Sequence, residues 1–506
     1  MTGNTAVETP ASTAQLDRRG ERMRRVKIVA TLGPAVTGEE RLGQLIDAGV
    51  DVARINCAHG TLEERAMLIE DLRNAAHQRG RFVPVLMDLR GLKLRTGRLA
   101  GSDAVPLARG SKVKLVPGPA LTTNEQIGVN YPKLLDVLVP GERVLLADGL
   151  IELLVEQVND DCAICSVGRG GPLAGGQGVT LPNVRMQDAA LTETDKADIR
   201  FAAEHGVEYI GLSFLSTEQD IIDARVIALE HGARPGIVAK IERPYALSQI
   251  VPIAREADAV MVARGDLGVQ LPPEQVPRAQ KDIVRVCNRL GTPVITATQM
   301  LESMIMQPVP TRAETSDVAN AVYDGSDAVM LSAETATGRY PFEAVMMMSR
   351  IIAESERDGP IRPEGIREPA PVDTTDNFIA AALGRAAREL SDATPLDAVV
   401  VFTLSGASAR LVARNRPSPP VIAVTTDPFV ARQLSLVWGV RSVVRPLTEN
   451  LEELLEDVEN NLIETGLAVE GSLALFVGSY PIYRVSGRTN LLHVRRIERR
   501  EHPQAA

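Results

Sequence analysis

The tripeptides Lys240-Ile241-Glu242 and Arg264-Gly265-Asp266 each set a cation beside an acid within three residues. Glu242 and Asp266 offer hard anionic oxygens, suited to one magnesium or manganese ion with positions left open for substrate. Arg54, Arg90, Arg95 and Lys240 are cations suited to phosphate or carboxylate oxygens. Gly265 lets backbone N–H groups approach an anion closely. Lysine is scarce, eight against forty-seven arginines, so Lys93 and Lys240 beside these clusters read as selected for a compact ammonium. A metal within a ring of cations is the equipment of phosphoryl transfer, where positioning and charge stabilisation do most of the catalysis. The sequence has no GxxxxGK[ST] loop, no kinase HRD or DFG set and no HExxH helix. A common nucleotide fold or a zinc hydrolase is therefore not implied. Cys162 and Cys165 form a lone CxxC without a second pair, a weak signal for metal or redox chemistry.

These residues can act together only if distant segments deliver them to one place. Short β-branched runs recur at Val26–Leu32, Asp51–Asn56, Phe82–Asp88, Val207–Ser213, Gly236–Ile241, Asp258–Ala263, Thr292–Ala297 and Asp327–Ser332. Several are apolar at nearly every position, as expected of parallel strands buried on both faces. Helical patterns such as Glu39–Ala48, Leu62–Arg79 and Ala313–Tyr323 fall between them. Eight such units predict an α/β chain with a (β/α)8 TIM barrel, whose active site lies at the C-terminal strand ends. Those ends carry Thr31, Arg54 and Asn56, Asp88 and Arg90, Ser213, Lys240 and Glu242, Arg264 and Asp266, Thr298 and Gln299, and Ser332 and Glu334. Any one of them could be a solvated loop residue; a full polar rim is harder to explain that way.

Strands three and four are about 120 residues apart, and residues 97–181 between them carry alternating β-like runs with many glycines. This predicts a small all-β lid domain inserted into a barrel made of 24–96 and 182–355. A Pro-rich stretch within 356–375 reads as a linker. Strand-like Ala398–Thr403, Pro420–Val424, Ser442–Val444 and Ser472–Val477 then alternate with helices, giving an open α/β domain over 376–500. Residues 1–23 lack the apolar run of a secretion signal and read as a disordered tail.

At 506 residues the chain has room for about three domains. Aromatics are only 3%, so the core must be aliphatic. A formal charge of −10 argues against nucleic acid or an anionic membrane as partner. Four cysteines in a chain this long suit a reducing, cytoplasmic setting. No apolar run reaches the ~18–20 residues of a membrane span.

The blocks VARINCAHG (52–60), MDLRGLKLRTG (87–97), AKIER (239–243), VMVARGDLGVQLP (260–272), TPVITATQMLESM (292–304) and PTRAETSDVANAVYDGSDAVMLSAETATGRYP (310–341) resemble the signature blocks of pyruvate kinases, of the potassium-independent, bacterial type. The resemblance implies transfer of the phosphoryl group of phosphoenolpyruvate to ADP, giving pyruvate and ATP. It implies that Lys240 sits on the transferring phosphoryl group and that Glu242 and Asp266 are the divalent-metal ligands. Arg54, Lys240, Gly265, Asp266 and Thr298 would hold phosphoenolpyruvate, with Thr298 linked to protonation of the enolate. Asn56, Cys57, Ala58, His59 and Arg95 would contact nucleotide. A homotetramer is likewise the family expectation.

The sequence departs from the family pattern at several places. Of the usual potassium donors Asn56 and Asp88 remain, but Ala58 and Leu89 replace hydroxyl residues. Lys93 stands where the family places a glutamate alongside potassium dependence or a lysine without it, so an enzyme independent of potassium is expected. Leu92, Thr194, Ala147, Val309 and Thr337 also replace usual family residues. In VVVFTLSGASA (399–409), Thr403, Ser405 and Ser408 resemble the family's sugar-phosphate effector loop, for a sugar-phosphate or nucleotide effector, although a plain helix cap explains them as well. Two competing readings are a catalytically silent, phosphometabolite-binding homologue and a metal-dependent lyase of oxo-acids. Retention of Lys240, Glu242 and Asp266 counts against the first, and the two extra domains count against the second.

Overall fold

The computed structural model describes residues 24–101, 103–182, 191–362, 375–446, 450–480 and 489–499. The expected tail (1–23) and most of the expected linker (363–374) lie outside them. Eight parallel strands close into a barrel: Lys27–Thr31, Val52–Asn56, Val85–Asp88, Tyr209–Leu212, Gly236–Ile241, Ala259–Ala263, Val294–Ala297 and Ala328–Leu331. Each pairs with its neighbours in sequence, and the eighth returns to the first with Lys27 opposite Ala328. Each strand falls within its expected run, shortened mostly at the ends, where the ladder gives way to loops.

Alternation sorts the side chains into two layers. Val29, Val52, Leu86, Val238, Met261 and Ile295 fill the lumen, whereas Ile28, Ala53, Val85 and Ile237 pack outward against the helices. Carried two residues on, the lumen-facing parity of Val52, Leu86 and Val238 brings Arg54, Asp88 and Lys240 to the rim on the inner face. Threonine side chains start several of the helices: Thr61 and Thr311 each form a capping box with the glutamate three residues on.

Between the third and fourth barrel strands stands a six-stranded sheet, running from Lys112–Pro117 to Val179–Thr180 in sequence, with a separate two-stranded ribbon of Val105–Leu107 and Gly171–Leu173. It has its own core, built around Leu115, Ile127, Leu146 and Leu153. The C-terminal sheet has four parallel strands, Leu396–Phe402, Val421–Thr425, Val440–Val444 and Leu473–Gly478. A fifth, Leu491–Arg496, runs antiparallel at the edge; its mixed pattern LLHVRR, mostly half-buried or exposed, gave no strand signal.

This domain seals the N-terminal mouth of the barrel. Leu436 joins the lumen cluster, the Tyr209 hydroxyl donates to the Gln433 carbonyl at 2.7 Å, and Arg73 and Arg432 both pair with the fully buried Glu208. The opposite, C-terminal mouth is left for chemistry. Among the described residues no helix is long and apolar enough to cross a membrane.

Candidate active site

At that mouth a chain of ion pairs crosses the rim. Arg54 donates from Nε to Asp88 Oδ2 at 2.8 Å and from Nη1 to the Thr31 hydroxyl at 2.9 Å. Lys240 Nζ lies 3.0 Å from Asp88 Oδ1 and 2.7 Å from Glu242 Oε1, and donates to Ser213 Oγ at 2.6 Å. Glu242 Oε2 accepts the Phe214 N–H at 2.8 Å. Asp88, Lys240 and Glu242 are all buried. Burial disfavours the Lys240 ammonium, but Asp88 and Glu242 outweigh it and hold the group above the ordinary lysine range. Burial likewise disfavours the Asp88 carboxylate, yet Lys240 and Arg54 together keep it below the usual carboxylate range. Glu242 is pushed up by burial and by the nearby charge of Asp266, against the pull of Lys240.

Asp266 and Gly265 sit in the first turn of a short helix, Arg264–Gln270, which begins directly where the sixth strand ends. The Gly265 N–H donates to Thr298 Oγ1 at 2.7 Å, and that hydroxyl donates to the Ala297 carbonyl at 2.6 Å. Thr298 and Gln299 are held at φ +67° and +55°, an unusual region for a β-branched residue. Arg264 maintains it: Nη2 donates to the Thr298 carbonyl at 2.6 Å, and Nη1 pairs with Asp317. Arg264 is therefore a support for the loop rather than a free cation at the rim. Glu334 is similar, buried and accepting the N–H groups of Ser332 and Leu301.

Beside Asp266 a cleft of about 40 Å3 opens between the barrel and the inserted domain. Lys93, Asp148, Arg243, Asp266 and Gln270 line it. The sequence reading singled out Lys93 and Asp266 but missed Asp148, Arg243 and Gln270. Arg243 was legible in part, since it follows Glu242 at a strand end; its guanidinium lies 5.1 Å over the Phe214 ring. The role of Ser213 as acceptor for Lys240 was also missed. Asn56, Cys57, Ala58 and His59 form the turn after the second strand, with Asn56 Oδ1 accepting the Ala58 N–H at 3.0 Å. Cys57 is buried and its thiol pushed up to about 12 by burial, so it presents backbone rather than a nucleophile. Arg95 is exposed and binds inserted-domain groups, the Asn130 side chain through its N–H and the Gly176 carbonyl through Nη1.

Two family models match the chain: the pyruvate kinase barrel domain over residues 23–345 and the pyruvate kinase alpha/beta domain over 381–495. The chain belongs to the pyruvate kinase family. It is similar to pyruvate kinases from Geobacillus stearothermophilus (40% identity, covering 93% of this chain and 80% of that one) and Agrobacterium vitis (41%, 93% and 96%). It is also similar to the one from Mycobacterium tuberculosis (39%, 94% and 98%). Among solved structures, a pyruvate kinase from Cryptosporidium parvum superimposes with a TM-score of 0.87 at 34% identity, covering 94% of this chain and 96% of that one. The chain is thus a phosphotransferase, a kinase acting between phosphoenolpyruvate and ADP, and pyruvate kinases are in general metal-dependent.

The donor set suits such a metal. Glu242 and Asp266 are hard oxygen donors from adjacent strand ends, close enough for the charge of Asp266 to push the Glu242 carboxyl up. Among the described residues no group of three His, Cys, Asp or Glu side chains forms a closed metal cage. Two carboxylates with positions left open suit a divalent ion that also contacts substrate.

Proposed function

We propose that Arg54, Lys240, Gly265, Asp266 and Thr298 hold phosphoenolpyruvate over the barrel mouth and that Lys240 stabilises the phosphoryl group in transit. The observation that carries this reading is the buried chain Arg54–Asp88–Lys240–Glu242 ending beside Asp266. It fixes the Lys240 ammonium in place before substrate arrives, so little reorganisation is needed as charge develops. A magnesium or manganese ion held by Glu242 and Asp266 would supply further charge neutralisation. The nearest atoms a Cβ at position 265 would meet are those of Thr298, at 3.5–3.6 Å, an ordinary contact. Protein packing alone does not demand this glycine, which favours close approach of a ligand. The Thr298 hydroxyl, turned away from the Ala297 carbonyl, relays a proton to the enolate carbon and regains one from solvent, so that it ends the step protonated. Asn56, Cys57, Ala58, His59 and Arg95 contact the nucleotide in this reading.

Potassium is not required in this reading. Both Asp88 oxygens are engaged by Arg54 and Lys240, Leu89 and Ala58 lack side-chain oxygens, and the exposed Lys93 stands in the cleft. The enzyme works in the cytoplasm as a homotetramer. An effector anion would sit at Thr403, Ser405 and Ser408, where Ser408 Oγ now bonds the Thr489 hydroxyl at 2.8 Å. A coupled assay with phosphoenolpyruvate, ADP and magnesium tests the reading. Turnover that needs all three supports it, and binding without turnover would favour a silent homologue.

A further inference from the structure

On the far side of the barrel from the active site, a second cavity of about 20 Å3 lies between the barrel and the C-terminal domain. Arg410, Arg414, Arg416, Trp438 and Asp327 line it. Trp438 is 2% exposed, and its indole Nε1–H, shielded from water, has no hydrogen-bond partner. The Nη1 of Arg410 is likewise shielded and without a partner, although the guanidinium also reaches the Tyr209 hydroxyl. Two unpaired buried donors at one small cavity are costly unless an acceptor occupies it.

The charges around the cavity point to the kind of acceptor. Arg416, 1% exposed, donates to the Gly325 carbonyl at 2.6 Å and the Ile361 carbonyl at 2.9 Å, pairs with Asp327 Oδ1 at 3.2 Å, and lies 5.1 Å from the Trp438 ring. Asp327 Oδ2 already accepts the Val294 N–H at 2.8 Å. Arg414 lies across Gly291, where a Cβ would come within 2.8 Å of its Cζ, and donates to the Arg289 carbonyl at 3.0 Å. Among the residues that line the cavity, three guanidinium groups thus meet one carboxylate that is already engaged, while Asp258 acts on Arg410 and Glu356 on Arg416 from outside the lining.

We propose that this cavity binds one halide-sized inorganic anion, such as chloride, which accepts from Arg410 Nη1 and Trp438 Nε1 where the C-terminal domain meets the barrel. The volume admits one particle about the size of a water, too small for a phosphorylated metabolite. A water would satisfy the donors, but an anion also answers the three guanidinium groups that outnumber the single lining carboxylate.

Trp438 is the only tryptophan of the chain, so its fluorescence reports on the cavity directly. The full-length enzyme is titrated with sodium chloride against sodium gluconate at constant ionic strength, gluconate being too large to enter. The expected result is a saturating change in emission, with the chloride affinity at least about tenfold weaker in Arg410→Gln, as expected for a lost charged hydrogen bond. Emission independent of chloride, as with a trapped water, would overturn the proposal, and so would an unchanged saturating response in Arg410→Gln. If that variant does not fold by circular dichroism, Arg414→Gln, at a half-buried position, is read in the same titration. A weaker chloride affinity there supports the proposal and an unaltered one counts against it.

Discussion

Asp88 Oδ1 lies 3.0 Å from Lys240 Nζ, while its other oxygen takes the Arg54 guanidinium at 2.7 Å. One buried carboxylate from the third barrel strand thus holds two cations, from the second and the fifth. Without it those cations would repel one another at the place where an anionic substrate must arrive. With it they are fixed, and their remaining valence is directed at the mouth.

Lys240→Met keeps the stem and deletes the ammonium. The turnover number is expected to fall about 10²–10³-fold, the usual worth of a charge-stabilising donor, with a smaller change in phosphoenolpyruvate affinity. Steady-state kinetics check this, since a raised KM at unchanged kcat would make Lys240 a ground-state binding group. The variant also leaves Asp88 and Glu242 buried without their shared cation, so thermal unfolding should show a loss of about 3–5 kcal/mol.

Asp266→Ala removes one of the paired carboxylates at the cleft. Turnover at ordinary magnesium is expected to be nearly abolished, with the circular dichroism spectrum unchanged. Substantial activity at ordinary magnesium would show that the metal lies elsewhere.

Activity should not depend on potassium. Rates measured with tetramethylammonium as the balancing cation are expected to match those in potassium, and several-fold activation on adding potassium would refute the assignment. Lys93→Glu should lower activity, and potassium should restore it only partly, because Ala58 and Leu89 still offer no side-chain oxygen.

Lys27 gives a pH dependence of stability. Its buried ammonium donates to the Val440 carbonyl at 2.7 Å, and burial, opposed by Asp51, lowers its pKa from 10.5 to about 8. Below pH 8 both folded and unfolded chains carry the proton, and the folded state bears the full burial penalty. Between pH 8 and 10.5 the unfolded state binds more protons, so this residue makes stability rise with pH. Relative to Lys27→Met, the wild-type unfolding free energy from denaturant titration should rise by roughly 1–3 kcal/mol over that window. Free energies that stay parallel would place the titration elsewhere.

How much of this was legible in the sequence follows from the range of the forces involved. The apolar runs at 257–263 and 292–297 fixed buried parallel strands, because burial on both faces leaves no other use for such segments. Position at the C-terminal strand ends also put Arg54, Asp88 and Lys240 at the rim, and residue chemistry marked Glu242 and Asp266 as hard donors. The edge strand Leu491–Arg496 was not legible, since its half-exposed side chains carry no periodic signal.

What only the tertiary structure decided is which rim residues meet. The third and fifth strands are not neighbours, so the Asp88–Lys240 pair forms across the fourth strand only after the barrel closes and curves. The same closure spends Arg264 and Glu334 on backbone support, although by type and position they matched the residues facing substrate. Leu436 in the lumen and Arg416 against Asp327 depend on the docking of a separate domain. Residue type sets which interactions are possible, and the closed barrel, by fixing distances across the chain, selects those that form.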